Sequence, residues 1–547
     1  MKEKIIDRLT FLVVISAFLL RIWNINWGLP YIYNTDEYKL VNYTLKMGAT
    51  RSLNPKFFIY PSFYLYFMLF VYFIIFIVGK ILGYYASSID FGIKFLKDPS
   101  VIYIATRSFS AFFGFLVVLF SYILAKKMYD KKIGILTALQ LTFLPSFVEY
   151  SHYAKIEMFS TFLVVIFVYF LYEYFIRNEI KYLYLSCLFL GLAISSRYLP
   201  AVCIPAVIFV IFKKKLKLKY YVFCILIIIC AFLIGTPFAL LDYKTFFKDV
   251  FYGHAIGNEV KRNFMYSLYL TVVKNYLFLG SETFILGLLG ISGVVYYILF
   301  KSSFKEKLLL IIFFGYFLIS AFHYHTEWHY VAGSYPFLCI LASVFVENFR
   351  KYKFSHKLIF AIYTILLFIA AIESIKFGLS LGIKDTRTEA KEWIENNIPY
   401  GSKILIDMHT YSPQIKMTKS QLELLYKKAV ELNHYKKEYL YYQILAHPGG
   451  NYGYEIYQVW RPFHEVSTIK HEVEEAQKMQ RLIDVKKGLD YVKSLGIQYV
   501  IINSINYSGY PLTFYKEVEQ KGLLLKKFVP KNKFQPGPTI KIYKIQW

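Results

Sequence analysis

Apolar residues are gathered into long blocks along the chain, and short polar segments separate each block from the next. A helix of about 20 apolar residues crosses the core of a bilayer, so blocks of this kind predict membrane-spanning helices. The predicted spans lie at roughly 9–22, 108–125, 133–150, 158–176, 181–197, 199–212, 220–241, 283–300, 308–322, 330–347 and 358–379. Another block, Pro61–Gly83, is also long enough to cross.

The pattern changes after residue 380. From Leu381 to Trp547 the chain is polar, and it has no apolar run of membrane length. Strand-like pieces at Lys403–Asp407 and Tyr499–Asn503 alternate with helical stretches such as Thr386–Asn397, which is typical of an α/β domain. We therefore expect a polytopic α-helical membrane domain over residues 1–380 and a soluble α/β domain over 381–547.

The composition agrees with a membrane protein. Of the 547 residues, 57% are hydrophobic and 18% are charged, whereas soluble domains carry about 25% charged residues. The aromatic content of 20% excludes a disordered chain. The net charge of +27 does not indicate a nucleic-acid partner, because the basic residues form short clusters between apolar blocks. All five cysteines lie inside apolar blocks, so no disulfide framework or zinc spacing follows.

The basic clusters predict the topology, because short loops rich in Lys and Arg stay in the cytoplasm. The clusters lie at 2–8, 126–132, 177–181, 213–219, 301–307 and 350–357. All of them face the cytoplasm if the N-terminus is inside, about 11 helices span, and Pro61–Gly83 does not cross. Length favours a crossing by this block and charge opposes it; we follow the charges and place the block along the outer interface or against the bundle. The first outer loop is then about 23–107, and the C-terminal domain is extracytoplasmic.

Two adjacent carboxylates, Asp36 and Glu37, follow the first predicted helix. Carboxylates next to a membrane are costly unless they meet water, a cation or a substrate. They also suit the first turn of a helix capped by Asn34 or Thr35. A catalytic and a structural interpretation both stay open.

The second outer loop brings His152 and Glu157 to the mouth between two apolar helices. A histidine near a helix end is more often a capping or packing residue than a ligand. A glutamate at the edge of a span has fewer structural reasons to be there, which favours a functional role for Glu157.

Arg107 and Arg197 interrupt apolar stretches at predicted outer ends of helices. Arginine at such depth usually pairs with an anion, and its planar donors suit phosphate oxygens. The alternative is that both side chains reach back to the interface. The loop with His323, His325 and His329 could bind a metal ion or phosphate, or form a polar interfacial turn.

Five short motifs occur in a familiar order. They are the acidic pair at 36–37, Arg-Ser-Phe-Ser-Ala at 107–111, the stretch 144–157, Gly-Leu-Ala-Ile-Ser-Ser-Arg-Tyr at 191–198 and Asp-Thr-Arg-Thr-Glu-Ala-Lys-Glu-Trp from 385. This order resembles the GT-C glycosyltransferases that use lipid-phosphate sugars, in the branch of protein O-mannosyltransferases and aminoarabinose lipid A transferases. The resemblance covers nearly the whole chain and is most specific over 23–200.

The resemblance implies roles for particular residues. Asp36, with Glu37 beside it, takes the place of the general base or acceptor-positioning residue, and Glu157 that of a second acidic residue that is commonly Asp. Arg197 falls where a basic residue, often Lys, contacts the carrier phosphate. His329 and Tyr330 stand where the family often has Arg-Tyr, so a constant positive charge is missing there.

The implied reaction moves a sugar from a polyprenyl-phosphate or dolichyl-phosphate donor to an acceptor hydroxyl at the outer membrane face. Arg107, Arg197, His329 and Tyr330 would contact the carrier phosphate as it leaves, and Asp36 would take the acceptor proton. Attack from the face opposite the phosphate inverts the anomeric centre, and one carboxylate is then sufficient.

The remaining expectations concern the acceptor and cofactors. His152, His323 and His325 would contact the acceptor or a metal ion. The chemistry requires no cofactor, with a divalent cation as the alternative. The acceptor is a lipid, a glycan or a protein of the cell envelope.

Two other functions fit parts of the sequence. A transporter also places charged residues at membrane depth, but here the acidic residues lie in loops on one side and the sequence has no broken-helix inverted repeat. An oligosaccharyltransferase shares the architecture, but its usual Trp-Trp-Asp-Tyr-Gly string does not occur in this sequence.

Overall fold

The structure is a computed structural model of the chain, and most of the residues that it describes are helical. The described residues are 2–258, 264–279, 286–300, 302–322, 327–348, 353–407, 411–434, 436–460, 482–504, 512–532 and 534–545.

The described part of residues 1–381 consists of helices and the segments that connect them. Each predicted apolar block is helical over most of its length. They are α1 (Lys2–Ile22), α2 (Thr35–Ala49), α3 (Phe63–Ile81), α4 (Ser88–Lys97), α5 (Ser100–Met128), α6 (Lys131–Thr142), α7 (Pro145–Ser151), α8 (Glu157–Arg177), α9 (Ile180–Ser196), α10 (Ile204–Lys213), α11 (Leu218–Gly235), α12 (Phe238–Leu241), α13 (Tyr243–Asn258), α14 (Phe264–Leu270), α15 (Leu286–Leu299), α16 (Phe304–Phe322), α17 (Tyr335–Asn348) and α18 (Lys353–Leu381). Tight helical turns lie at Leu199–Cys203, Trp328–Tyr330 and Ala332–Ser334, and a wide π-type turn lies at Thr271–Leu277.

Five helical stretches among the described residues are long and apolar enough to cross a membrane, and a bent pair raises the number to six. The five are Phe63–Ile81, Ser100–Met128, Glu157–Arg177, Leu218–Gly235 and Lys357–Asn397. Shorter apolar helices lie at Ile180–Ser196, Leu199–Lys213 and Gly287–Leu299. The chain is therefore a membrane protein, whereas the number of crossings and the interfacial placement of Pro61–Gly83 stay predictions.

The block predicted as one span over 133–150 is divided into two helices in the structure. α6 and α7 meet at an angle of 62°. Pro145 is at the first position of α7, where its missing N–H and fixed φ suit a helix start and prevent α6 from continuing. A proline inside an apolar block thus produces a bend.

The described chain packs into two compact units. The first contains Met1–Ile25, Lys39–Phe73 and Ile104–Gly378, and the second contains Asn26–Tyr38, Ile74–Tyr103 and Leu379–Trp547. The second unit therefore includes two pieces of the predicted first outer loop together with the tail.

The tail confirms the predicted α/β fold. Within the described residues its strands form one sheet in the order β3-β2-β1-β4-β6-β5, in which the first four strands are parallel and β6 pairs antiparallel with both β4 and β5. The strands are β1 (Lys403–Ile406), β2 (Glu455–Val459), β3 (Leu482–Ile483), β4 (Tyr499–Asn503), β5 (Leu523–Phe528) and β6 (Ile540–Lys544). The helices are α19 (Thr386–Asn397), α20 (Lys419–Glu431), α21 (Lys437–Ala446), α22 (Gly488–Ser494) and α23 (Leu512–Lys521).

The sheet of the tail is covered on both faces, as a parallel sheet requires. Ile404 and Ile406 of β1 face a core that includes Ala390 and Ile394 of α19. Leu405, between them, faces the opposite core, which α22 and α23 cover. Burial on both faces explains why β1 and β4 are continuous apolar runs that could be recognised in the sequence.

Candidate functional site

The first unit contains a small cavity at the point where α8 begins and α9 ends. The two helices are joined at Asn178, whose φ of 56° lies in the left-handed region, so the chain turns back immediately and α9 packs along α8. This packing brings Glu157, the first residue of α8, next to Arg197, which caps the end of α9. Both residues line the cavity.

Glu157 and Arg197 form a buried ion pair. The Arg197 guanidinium donates from Nη1 to Oε1 of Glu157 at 3.0 Å, and the side chains are only 8% and 5% exposed, respectively. The guanidinium also lies over the ring of Tyr330, 5.0 Å from its centroid. The other carboxylate oxygen, Oε2 of Glu157, has no hydrogen-bond partner among the described residues. A guanidinium carries five N–H donors, so the bond to Glu157 leaves donors for the oxygens of a ligand.

His329 lies on the same cavity, in the turn Trp328–Tyr330. Its Nδ1 is 3.1 Å from the hydroxyl of Tyr150 and 3.3 Å from Oε2 of Glu327. The His329 ring lies 4.4 Å from the ring of Tyr330, centroid to centroid. Four of the predicted site residues, Glu157, Arg197, His329 and Tyr330, therefore meet at one cavity.

Several lining residues were not predicted from the sequence. Ser160 and Thr161 follow Glu157 by three and four positions, which places all three on one face of α8. Tyr316 also lines the cavity, and a Cβ on Gly333 would come within 2.4 Å of its hydroxyl oxygen. The signal for Ser160 and Thr161 was present in the sequence, because hydroxyl residues one turn after an acidic residue interrupt an otherwise apolar helix.

Arg107 and His152 lie elsewhere in the first unit and do not line this cavity. Both are fully buried. Nε2 of His152 is 2.8 Å from the carbonyl oxygen of Trp23, and Arg107 donates from Nη1 to the carbonyl oxygen of Ile25 at 3.2 Å. Nδ1 of His152 is 2.7 Å from the carbonyl oxygen of Val148. Trp23 and Ile25 directly follow the last turn of α1, and Val148 lies in the last turn of α7, so these contacts reach carbonyl groups at two helix ends.

Asp36 and Glu37 belong to the second unit, in the first turn of α2. The side-chain oxygen of Asn34 accepts from the backbone N–H of Asp36 at 3.0 Å and from that of Glu37 at 3.4 Å. Asn34 therefore caps the helix, and the two carboxylates stand where the helix dipole favours negative charge. Asp36 is half-buried and Glu37 is fully buried.

The predicted metal contacts are largely outside what the structure describes. His323 and His325 lie outside the described residues. Within the described ranges, no three His, Cys, Asp or Glu side chains are grouped so that they could hold a metal ion.

The cavity combines the Arg197–Glu157 ion pair with neutral hydrogen-bonding groups. Arg197 is held by Glu157 and Tyr330, and hydroxyls of Ser160, Thr161 and Tyr316 belong to the same lining. A buried guanidinium with hydroxyl neighbours binds anionic oxygens, and phosphoryl oxygens match its planar geometry. The lining therefore presents a positive charge and hydrogen-bond donors of the kind that stabilise charge developing on a phosphoryl group.

Part of the chain resembles a known protein family. Residues 101–238 match the family model described as dolichyl-phosphate-mannose-protein mannosyltransferase. No curated protein sequence matches the chain. Arg107, Glu157 and Arg197 all fall within the matched residues.

Solved structures show the same fold. The chain is similar to ArnT from Cupriavidus metallidurans in the apo state, with a TM-score of 0.51, 12% identity, and 98% of each chain covered. It is also similar to the structure of that protein bound to undecaprenyl phosphate, with a TM-score of 0.51, 11% identity, and 100% of this chain and 98% of the other covered.

Proposed function

Because the fold and the family-model match together indicate a glycosyltransferase with the GT-C fold, we propose that this chain transfers a sugar from a polyprenyl-phosphate or dolichyl-phosphate carrier to an acceptor hydroxyl. The observation that carries the proposal is the buried Arg197, held by Glu157 and Tyr330 at a cavity with neutral hydroxyl groups. A protein of the same fold has been solved with undecaprenyl phosphate bound, and this is the class of carrier that we propose.

In the first part of the reaction, Arg197 receives the phosphate of the carrier. The bond between the anomeric carbon and the phosphate oxygen breaks, and its electron pair stays on the departing phosphate monoester. Arg197 stabilises that charge through hydrogen bonds and through its own positive charge. Glu157 keeps the guanidinium in one orientation, and the ring of Tyr330 supports its face. His329 adds a further donor when it is protonated.

In the second part, the acceptor hydroxyl attacks the anomeric carbon from the face opposite the phosphate. The new carbon–oxygen bond forms as the old one breaks, so the configuration inverts. The hydroxyl proton passes to Asp36, which acts as general base. The resemblance of the acidic pair at 36–37 to the family motif supports this role.

The proposal includes a location for the reaction. The membrane domain, residues 1–380, lies in the cell membrane as a multi-pass protein with a cytoplasmic N-terminus, and the domain over 381–547 lies outside. The acceptor is therefore a lipid, a glycan or a protein that is accessible from the outer face. Arg107 and His152 contact carbonyl groups just beyond the end of α1, and a role of Arg107 at the carrier phosphate and of His152 at the acceptor or a metal ion stays a prediction.

The test is release of polyprenyl phosphate from a panel of polyprenyl-phosphate sugars by the purified full-length protein. Wild type is compared with Asp36→Asn and with Asp90→Asn, a matched control in the first turn of α4 in the same unit. We expect wild type and Asp90→Asn to release the carrier, and Asp36→Asn to be slower by about 100-fold or more, since general bases contribute factors of this order.

If folded wild-type protein releases no polyprenyl phosphate from any donor of a broad panel, the result contradicts the transferase proposal and favours transport. Equal rates for wild type and Asp36→Asn keep the enzyme and remove Asp36 as the base.

A further inference from the structure

Residues 31–33, directly before Asn34 and the acidic pair, are held by the tail within the second unit. The side-chain amide of Gln414 bonds the backbone of Ile32 on both sides. The N–H of Ile32 donates to Oε1 of Gln414 at 3.1 Å, and Nε2 of Gln414 donates to the carbonyl oxygen of Ile32. This pairing imitates a strand-to-strand contact and fixes the direction of the chain at Ile32.

The next residue, Tyr33, is fixed by the start of α19. Its ring lies 3.9 Å from the guanidinium of Arg387, and its hydroxyl is 2.6 Å from Oγ1 of Thr388. Asp385 orients Arg387 by accepting from Nε at 2.8 Å and from Nη2 at 2.6 Å. The same Asp385 also caps α19, so one side chain joins the cap of the helix to the contact with Tyr33.

These contacts persist at neutral pH. Burial raises the pKa of Tyr33, so the hydroxyl that meets Thr388 stays protonated. Tyr33 and Ile32 are both buried. The segment is therefore tied to the tail by backbone, ring and hydroxyl contacts at two consecutive residues.

We propose that the tail positions the catalytic carboxylate through a clamp formed by Gln414, Arg387 and Thr388. The clamp fixes residues 32–33, the next residue is the Asn34 cap, and the cap sets the first turn of α2, which carries Asp36 and Glu37. The clamp residues are positioning residues, since none of them needs to contact the substrate. The inference rests on the proposed function in that Asp36 is the base.

The chain offers a matched control for Gln414. Gln421 makes the same pair of bonds with a backbone, accepting from the N–H of Ile456 at 2.9 Å and donating to its carbonyl oxygen at 3.1 Å. Ile456 belongs to β2, so this pairing lies entirely within the tail domain. Gln414→Ala and Gln421→Ala therefore remove the same bonds, but only the first releases the segment that leads to Asp36.

The experiment measures sugar transfer and carrier binding by the full-length variants. We expect Gln414→Ala to lower kcat by about tenfold or more, because displacement of a catalytic group by about 1 Å costs on the order of 100-fold. Its affinity for polyprenyl phosphate should equal that of wild type, since Arg197 is unchanged. Gln414→Glu, which retains the acceptor for Ile32, should recover part of the rate. Gln421→Ala should keep the wild-type kcat while lowering the thermal stability.

A second measurement separates the clamp from the reaction. Hydrogen exchange of the Ile32 amide should accelerate in Gln414→Ala and stay as in wild type in Gln421→Ala. Unchanged exchange at Ile32 in Gln414→Ala would overturn the clamp. Accelerated exchange with an unaltered kcat would show that the contact exists but does not position Asp36. If wild type transfers no sugar, the proposed function fails while the exchange result still decides whether the clamp exists.

Discussion

The two ends of α8 carry the same three kinds of side chain in different surroundings. At its last turn, Arg177 donates from Nε to Oε2 of Glu173 at 2.8 Å, and its guanidinium lies 5.4 Å from the ring centroid of Tyr182. At its first residue, Glu157 accepts from Arg197, which lies over a tyrosine ring in the same way. Arginine, glutamate and tyrosine thus meet twice on one helix.

The two groups differ in exposure and in how fully their hydrogen bonds are satisfied. The Arg177 side chain is 49% exposed, and the second oxygen of Glu173 pairs with Lys127, so this carboxylate is satisfied on both sides. The Arg197 side chain is 8% exposed, and one oxygen of Glu157 is left without a partner among the described residues. A buried ion pair with an unsatisfied oxygen costs free energy. The unsatisfied oxygen of Glu157 accepts hydrogen bonds, so in the proposed complex a donor such as a sugar hydroxyl, and not the phosphate, would satisfy it.

The largest expected effect separates the two arginines. Arg197→Ala should reduce sugar transfer by about 100-fold or more, because it removes the group that stabilises charge on the leaving phosphate. Arg177→Ala should leave the transfer rate unchanged, because Arg177 does not line the cavity and Glu173 keeps Lys127 as a partner. Rates are measured with saturating donor on proteins of verified fold.

Arg197→Lys is the control for misfolding of Arg197→Ala, since it keeps a positive charge opposite Glu157. Its rate should lie between those of wild type and Arg197→Ala, because lysine lacks the planar fork. Equal transfer rates for Arg197→Ala and Arg177→Ala would contradict the claim that only the Glu157 end of α8 takes part in transfer.

The next effect separates the two glutamates. Glu157→Gln can still accept a bond from Arg197, but the bond loses its charge assistance, and we expect transfer to fall by about tenfold. Glu173→Gln should change thermal stability and leave transfer at the wild-type rate. The measurement is kcat and KM of both variants beside their unfolding temperatures. A lower transfer rate in correctly folded Glu173→Gln would contradict a purely structural role for Glu173.

A smaller effect separates the two tyrosines. Tyr330→Leu should weaken carrier binding by about 2- to 30-fold, since a cation–π contact contributes roughly 0.5–2 kcal/mol. Tyr330→Phe keeps the ring and should bind as wild type does, and so should Tyr182→Leu. Equilibrium binding of undecaprenyl phosphate measures all three. Weaker binding in Tyr330→Phe than in Tyr330→Leu would exclude the ring as the source of the effect.

The smallest effect is expected from chelation. At both ends of α8 the carboxylate is already paired with a cationic side chain, so neither depends on a metal ion in this account. Transfer measured after treatment with a chelator should proceed at the untreated rate. Complete loss that is restored by a divalent cation would show that a metal ion takes part in transfer and would contradict this account.

Much of the fold could be predicted because it depends on burial. The apolar blocks became helices, and β1 and β4 were recognised because they are buried on both faces. β6 was not predicted, although its residues Ile-Lys-Ile-Tyr-Lys show the apolar–polar alternation of a half-buried strand. Pro145 indicates a helix boundary inside the block 133–150, but the block was predicted as a single span.

The sequence identified individual residues of the site, but it did not show which of them lie next to each other. Glu157 and Arg197 were conspicuous as charges at the ends of apolar blocks, but their pairing depends on the tight turn at Asn178. Arg107 and His152 were conspicuous for the same reason, yet both contact backbone carbonyl groups, which every residue carries and no sequence pattern marks. Charge in an apolar context therefore predicts that a partner exists and not which partner it is.

The most direct test of the central claim is binding of undecaprenyl phosphate to the full-length protein, without any sugar. Wild type, Arg197→Lys, Arg197→Ala and Arg177→Ala are titrated under identical conditions. We predict equal affinities for wild type and Arg177→Ala, an intermediate affinity for Arg197→Lys, and an affinity for Arg197→Ala that is weaker by about tenfold or more, as expected when one partner of a buried charge pair is removed. Binding by folded Arg197→Ala with the wild-type affinity would contradict the claim that the cavity at the Glu157 end of α8 receives the carrier phosphate.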